Sequence, residues 1–338
     1  MMASCTTPDF QSLLGGNSSN TSNNTAKSNY NAMAESKQIA LLLPLSGSMG
    51  GPGRAVRDGF MANYYQAAQS GQTHAKVKIY DTTTGNVEAI YEKAISDGAD
   101  CVVGPLEKEK VQQIMRSPVP VTTIVLNYPV TLQAGSNNLY QFGLSPLDEA
   151  KQVADYAHEQ GRNSAIIISP AGVWGNGVAN AFRDEWKKLG GNVAIQYSYT
   201  PSQDMGPYLR QALQVNDDKT HVKRLEQLLG RQLRIEEYRR QDVDMIFLVA
   251  LPPKARQINP LLKFYYAGDL PVYSISVVYS GIPSPMYDQD LDGITFDDMP
   301  WIFNLDAITL SHFPRLYALG MDAFTLVMKH NQWKNSPN

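Results

Sequence analysis

The sequence has few cysteines, no long hydrophobic run and no surplus of basic residues. Its two cysteines, Cys5 and Cys101, do not read as a disulfide pair, since Cys101 lies in a short apolar run and is expected to be a small core residue of a buried strand. No run of 18 apolar residues occurs, so no segment is expected to span a membrane. The formal net charge is −3, and without a basic surplus to neutralise phosphates we expect no nucleic-acid partner.

Motifs of catalysis and metal binding are missing as well. The five histidines are scattered, and none has the i,i+4 spacing of a helical zinc site. The chain has no GxxxxGK[ST] phosphate loop, no GxSxG elbow and no serine followed three residues later by lysine. The pair Asp297 and Asp298 has no histidine partner, and the acidic run at 288–292 has Met299 where a calcium loop needs glutamate. We therefore expect no enzyme, no metal and no other cofactor.

Apolar runs that alternate with amphipathic segments are what the sequence does contain. Residues 39–43 form a continuous apolar run, a Gly/Ser-rich turn follows, and apolar residues then recur with a helical period over 56–67. Strands that alternate with helices predict right-handed crossovers and parallel sheets, and 338 residues are enough for two lobes. The predicted strands cover residues 39–43, 77–80, 101–103, 121–126, 140–144, 165–168, 193–199, 245–250 and 271–276.

Two segments do not follow this rhythm. Residues 1–36 combine a lipobox-like start, Met2-Ala-Ser-Cys5, with a small polar stretch that cannot bury a core and is expected to be a disordered tether. We expect Cys5 to carry a lipid; the alternatives are a chance match and a disordered N-terminus without a role. Residues 214–241 are rich in Arg and Glu and contain a leucine stripe, which indicates a solvated, charged helical insertion. A helix that binds a partner is the alternative for that segment.

Several short motifs, taken in order, resemble one known family. They are IALLLPLSG at 39–47, GPL at 104–106, FGLSPLDEA at 142–150, VWG at 173–175, LDG at 291–293, MPW at 299–301 and ALGMDA at 318–323. Together, over about residues 37–330, they resemble the C-terminal domain of the LpoA family, outer-membrane lipoproteins that activate a bifunctional class A penicillin-binding protein. Longer family members place a helical-repeat domain before this one, whereas here a short polar tether precedes it.

The resemblance implies an α/β protein with a type I periplasmic-binding-protein fold, in which two Rossmann-like lobes with parallel sheets are joined by three crossovers. Lobe one would comprise residues 37–143 plus 300–338, and lobe two residues 144–299. The resemblance also implies a non-enzymatic role, in which the chain binds and activates a class A penicillin-binding protein and so regulates peptidoglycan synthesis. It would be periplasmic and anchored to the inner leaflet of the outer membrane through a lipid on Cys5.

A periplasmic solute-binding protein is the alternative function, with a small ligand in the cleft between the lobes. Binding proteins of this kind hold ligands with small polar groups and aromatic rings at strand ends and helix N-termini. The glycine-rich turn and the aromatic residues also have a structural explanation, as a close turn and as core packing. The candidate cleft residues are Ser46, Gly47, Ser48, Gly104, Pro105, Asn127, Trp174, Gly175 and Tyr279.

Overall fold

The computed structural model describes residues 37–128, 137–215, 224, 227–230, 239–303 and 312–334. Cys5 and the tether predicted over 1–36 lie outside these ranges, as does most of the insertion predicted over 214–241, so both stay predictions. The described part of the insertion includes helical residues at 227–229, of which Leu228 and Leu229 are exposed. No helix within the described ranges is both long enough and apolar enough to cross a membrane.

Five parallel strands form the first sheet. They are β1 Gln38–Leu43, β2 Lys76–Asp81, β3 Cys101–Val103, β4 Thr122–Val125 and β5 Leu139–Gln141, in the spatial order β2-β1-β3-β4-β5, and the helices between them are α1 Gly50–Gln69, α2 Val87–Ser96 and α3 Lys108–Arg116. Strand β1 is buried on both faces. Ile39, Leu41 and Leu43 pack with residues of α1, while Ala40 and Leu42 pack with residues of α2 and α3. A parallel strand covered by helices on two sides is apolar throughout, which explains the unbroken run in the sequence.

Five further parallel strands form the second sheet. They are β6 Ser164–Pro170, β7 Asn192–Tyr199, β8 Met245–Leu248, β9 Val272–Ser274 and β10 Ile294–Phe296, in the order β10-β9-β8-β6-β7, and the helices are α4 Pro146–Glu159, α5 Val173–Lys188, α6 Gly206–Ala212 and α7 Pro252–Phe264. Helices α4 and α5 pack over one face of this sheet. Helices α6 and α7 pack over the other face. The predicted α/β class with parallel sheets is therefore confirmed.

The described elements place the chain on the first sheet, then on the second and then again beside the first. It leaves the first sheet after β5 and enters α4, and it returns after β10 to the C-terminal helix α8 Pro314–Lys334, which packs along α1. The third crossover and the lobe boundaries at 143/144 and 299/300 stay predictions. Strand β10 was not among the predicted strands. The three residues between Gly293 and Asp297 are too few to show an alternating pattern in the sequence.

The helices α1 and α8 approach each other closely because glycines lie at their contact. A methyl group added at Gly320 would lie 2.0 Å from the carbonyl oxygen of Val56, and one added at Gly59 would lie 1.9 Å from the carbonyl oxygen of Tyr317. Next to this contact the rings of Phe60 and Phe324 meet edge to face at 5.3 Å. The close packing of α8 against α1 therefore requires residues without a side chain at positions 59 and 320.

We expect Gly320→Ala to destabilise the protein by about 1 to 3 kcal/mol, because the added methyl group forces the two helices apart. Gly177→Ala is the matched control. It also lies inside a helix, but its methyl group would meet only the Cδ2 atom of Leu147, at 3.7 Å, so better helix propensity should stabilise the protein by up to about 1 kcal/mol. Urea unfolding of both variants measures the difference. Equal stability of the two variants would contradict the close helix contact.

Candidate functional site

A cavity of about 300 Å³ lies where the chain crosses between the two sheets. We call it the crossover pocket. Its walls come from the segment between β5 and α4, the first turns of α4, the residues after β9 and β10, and the start of α8. The lining residues are Tyr128, Gly143, Leu144, Ser145, Asp148, Glu149, Gln152, Ser276, Asp297, Asp298, Met299 and Arg315.

The first turn of α4 is fixed by an N-cap that the sequence makes explicit. Ser145 has extended backbone, Pro146 begins the helix, and the Ser145 hydroxyl accepts a hydrogen bond from the backbone N–H of Asp148 at 3.2 Å. Ser145 is thus the N-cap of α4. It orients Glu149, whose Oε2 atom accepts a hydrogen bond from the backbone N–H of Ser276 at 3.0 Å. The start of α4 is thereby tied to the end of β9.

Arg315 is the one cation among the lining residues, and it is already bound within the protein. Its Nε atom donates to Asp298 Oδ1 at 2.9 Å, and the Asp298 side chain is only 1% exposed. Its Nη2 atom donates to the carbonyl oxygens of Ser276 at 2.8 Å and Tyr279 at 3.0 Å. One guanidinium group thus joins the ends of β9 and β10 to the beginning of α8.

Asp297 and Asp298 are neighbours in very different surroundings. Whereas Asp298 is ion-paired, the Oδ1 atom of Asp297 is buried and has no hydrogen-bond partner among the described residues. Burial, and then the nearby charge of Glu149, raise the pKa of Asp297 to about 7. Burial also raises the pKa of Glu149 itself, although the hydrogen bonds from Ser276 act in the opposite direction. The crossover pocket therefore contains one carboxyl group, that of Asp297, that can hold a proton near neutral pH.

The candidates of the first loop lie at the carboxyl end of β1. The Ser46 hydroxyl donates to Asp81 Oδ2 at 3.3 Å, and the backbone N–H of Leu45 donates to Asp81 Oδ1 at 3.0 Å. Gly47 has a backbone φ of +65°, in the left-handed region that favours glycine. Ser48 is exposed. The structure thus ties this loop to the end of β2. Contact of Ser46, Gly47 and Ser48 with a ligand stays a prediction.

Gly104, Pro105 and Asn127 are brought together at the ends of β3 and β4. The peptide bond between Gly104 and Pro105 is cis, and the Pro105 carbonyl oxygen accepts a hydrogen bond from the backbone N–H of Leu126 at 3.0 Å. The Asn127 Nδ2 atom donates to the carbonyl oxygen of Leu106 at 2.8 Å. Asn127 directly precedes Tyr128, which lines the crossover pocket. A role of these three residues in ligand binding stays a prediction.

The remaining candidates lie on the second sheet. Trp174 is 42% exposed in the first turn of α5, and a side chain at Gly175 would collide with the carbonyl oxygen of Pro170 at 2.0 Å, so this glycine serves the close strand-to-helix turn. Tyr279 is half-buried, and its ring lies 5.7 Å from the ring of Phe296. Of these three residues, Tyr279 is linked to the crossover pocket, because its carbonyl oxygen accepts a hydrogen bond from Arg315. Ligand contact by Trp174, Gly175 and Tyr279 stays a prediction.

The sequence analysis missed Glu149 and Arg315 as members of the pocket. Glu149 is 127 residues from its partner Ser276, and Arg315 is 17 residues from Asp298, so no short motif contains either pair. One signal was available. Between Lys263 and Arg315 the sequence has no lysine or arginine, so Arg315 is the first strong cation after the aspartate pair. Among the described residues, no group of three or more His, Cys, Asp or Glu side chains is arranged to hold a metal ion.

The raised pKa of Asp297 predicts a loss of stability as the pH rises. The folded chain keeps the proton up to about pH 7, whereas the unfolded chain releases it at roughly pH 4. The stabilising contribution is therefore complete at low pH and is lost as the pH rises through 7. We expect Asp297→Asn to match the wild type near pH 4 and to be more stable at pH 8, on the order of 1 to 2 kcal/mol after solvent screening.

Urea unfolding at a series of pH values measures this difference. Asp290→Asn is the control, because Asp290 is exposed and its substitution should leave the pH dependence unchanged. A difference between Asp297→Asn and wild type that does not grow with pH would contradict the buried carboxyl group.

Relatives of known name cover most of this chain. The sequence is 28% identical over 308 residues to the penicillin-binding protein activator LpoA of Photobacterium profundum. That alignment covers 87% of this chain and 50% of the Photobacterium protein. It is 29% identical over 286 residues to the protein of the same name from Klebsiella pneumoniae. That alignment covers 80% of this chain and 41% of the Klebsiella protein. The chain thus spans about half the length of the relatives that it matches.

Solved structures show the same fold. The C-domain of LpoA from Haemophilus influenzae superimposes with a TM-score of 0.67 at 23% identity and covers 89% of this chain and 88% of that one. A putative branched-chain amino acid ABC transporter protein from Chromobacterium violaceum superimposes with a TM-score of 0.64 at 25% identity and covers 87% of this chain and 88% of that one. The type I periplasmic-binding-protein fold is therefore confirmed.

The family assignment follows from one further match. The family described as LppC putative lipoprotein matches residues 28–338, which is more than half of the chain and includes both sheets. The resemblance to the LpoA family that the sequence motifs indicate is thereby confirmed. The chain belongs to the LppC putative lipoprotein family.

Proposed function

We propose that this chain is a periplasmic lipoprotein that binds and activates a class A penicillin-binding protein and thereby regulates peptidoglycan synthesis. One observation carries the proposal: relatives named penicillin-binding protein activator LpoA align with 87% and 80% of this chain at 28% and 29% identity. The H. influenzae C-domain of the same fold is described as a regulator of PBP1A. The chain would act through recognition, without catalysing a reaction.

The chemistry of the crossover pocket supports this proposal over the alternative of a solute-binding protein. The fold shared with the C. violaceum transporter protein favours the alternative, and about 300 Å³ is at the lower end of ligand-pocket volumes. However, the lining contains four carboxyl groups and one guanidinium, and the guanidinium already donates to Asp298 and to two carbonyl oxygens. An amino acid's carboxylate would have to displace these partners.

A lipid on Cys5 would anchor the protein to the inner leaflet of the outer membrane. The family is described as a putative lipoprotein family, and small residues precede Cys5 as they do in lipoprotein signals. A flexible stretch of about 30 residues has an r.m.s. span of roughly 30 Å. The polar residues that follow Cys5 would therefore hold the folded part within reach of partners in the periplasm.

The activation test uses the purified full chain with a purified class A penicillin-binding protein from the same bacterium. We expect the chain to bind the synthase and to raise the fraction of cross-linked product made from lipid II, with a saturable dependence on its concentration. A solute-binding protein of the same fold serves as control and should have no effect. Unchanged cross-linking together with undetectable binding would contradict the proposal. Under the alternative function, an amino acid at 100 times its Kd would instead raise stability by roughly 2.7 kcal/mol.

The anchoring is tested separately by substituting each cysteine. We expect the mature wild-type protein to carry the added mass of a lipid and to fractionate with the outer membrane, whereas Cys5→Ser should be soluble in the periplasm. Cys101→Ser is the control, since Cys101 is buried in β3 and its substitution should leave the lipid in place. Intact-protein mass spectrometry and membrane fractionation measure both properties. An unmodified Cys5 in the mature protein would rule out the anchor.

A further inference from the structure

Strand β10 is an edge strand of the second sheet. Within the described residues it pairs with β9 alone, in the register Ile294 to Val272 through Phe296 to Ser274. Thr295, in its middle, is exposed. Along an edge strand, alternate backbone N–H and C=O groups point away from the sheet and can pair with another chain. The carbonyl oxygen of Asp292, just before β10, accepts a hydrogen bond from Lys263 Nζ at 2.8 Å. From there to Asp297, the outer side of β10 has no strand partner among the described residues and is open to such pairing.

A cavity lies beside each face of this strand. One, of about 410 Å³, is lined largely by apolar side chains and includes Ile294 and Phe296. The other, of about 400 Å³, includes Thr295 together with Tyr156 and Tyr273. An extended peptide points successive side chains to opposite faces, so a strand added beside β10 would direct its side chains toward these two cavities in alternation. No residue of β7, the opposite edge of the same sheet, lines either cavity.

The sequence around β10 is rich in aspartate. Between Lys263 and His312 the sequence contains seven aspartates and no lysine, arginine or histidine. Asp288 is paired with Arg256 at 3.0 Å, and the pair of Asp298 with Arg315 is described above. Asp290 and Asp292, just before β10, are exposed, and the salt bridges found within the described ranges do not include them. Lys263 on α7 donates to the backbone carbonyl oxygen of Asp292, so the edge carries two exposed aspartates beside one cation and a net negative charge.

We propose that the outer edge of β10 binds an extended, basic segment of a partner protein by addition of a strand. Backbone hydrogen bonds to β10 would supply affinity, apolar side chains would enter the cavity beside Ile294 and Phe296, and Lys or Arg side chains would lie near Asp290 and Asp292. The identity of the partner rests on the proposed function: the segment belongs to the class A penicillin-binding protein. A second copy of this chain is disfavoured, because two such edges would place their aspartates against each other.

Site-specific photo-crosslinking tests which edge is used. The photoreactive residue p-benzoylphenylalanine is placed at Thr295 or, as the matched control, at Ser198, an exposed polar residue on the opposite edge strand β7. Two probes are used with the full chain: the purified synthase, and a synthetic peptide of alternating valine and lysine. We expect both probes to crosslink at Thr295 and not at Ser198, and the crosslinked synthase peptide to contain Lys or Arg. Crosslinks to a second copy of this chain, or none to either probe, would overturn the inference.

Charge reversal tests the electrostatic part. We expect the double variant Asp290→Lys/Asp292→Lys to weaken binding of both probes about tenfold at low salt and by less at high salt. The control is Asp155→Lys/Asp184→Lys, which reverses exposed aspartates on α4 and α5 and should leave binding unchanged. If the synthase binds and is activated but does not crosslink at Thr295, and the aspartate substitutions do not weaken its binding, the inference about β10 is wrong and the proposed function stands. If the synthase does not bind while the peptide crosslinks at Thr295, the edge stands and the proposed function is wrong.

Discussion

The buried ion pair between Arg315 and Asp298 is the interaction on which the junction of the two sheets depends. The Asp298 side chain is 1% exposed, and removing one partner of such a pair leaves an uncompensated charge, at a cost of about 3 to 5 kcal/mol. The same guanidinium also satisfies the carbonyl oxygens of Ser276 and Tyr279. It therefore fixes three segments at once: the ends of β9 and β10 and the start of α8. The glycine contact between α8 and α1 then carries this constraint to the first sheet.

The ion pair also separates the properties of two adjacent aspartates. Asp298 receives the positive charge, so Asp297 lies beside Glu149 without a cation of its own and has its pKa raised to about 7. Its protonation changes the charge of the crossover pocket. Asp297 also directly follows β10 and lines the cavity beside Thr295. The carboxyl group of Asp297, which titrates near neutral pH, thus lies next to the sheet edge that we propose as a binding surface.

What the sequence could predict depended on whether the responsible interactions are local. Strands such as β1, β3 and β8 were predictable because a parallel strand buried on both faces must be apolar. The Ser145 cap could be predicted because a cap is made by neighbouring residues. Strand β10 was not, since its three residues are specified by pairing with β9. Asp297 and Asp298 were noticed but had no visible partner, because Arg315 and Glu149 reach them through the tertiary fold. The candidate loops follow strands as expected, and Asn127 and Tyr279 form hydrogen bonds with the lining residues Tyr128 and Arg315.

The location of the charges supports the protein recognition that we propose for this fold. In an open cleft, an unpaired cation between the lobes can receive an anionic ligand. Among the described residues, the one cation that lines the crossover pocket is bound by the protein's own groups, which makes the junction a structural support. Meanwhile the aspartates that lie outside the pocket, next to β10, are exposed. Exposed carboxylates therefore lie on a sheet edge, where the ligand that we propose is another polypeptide.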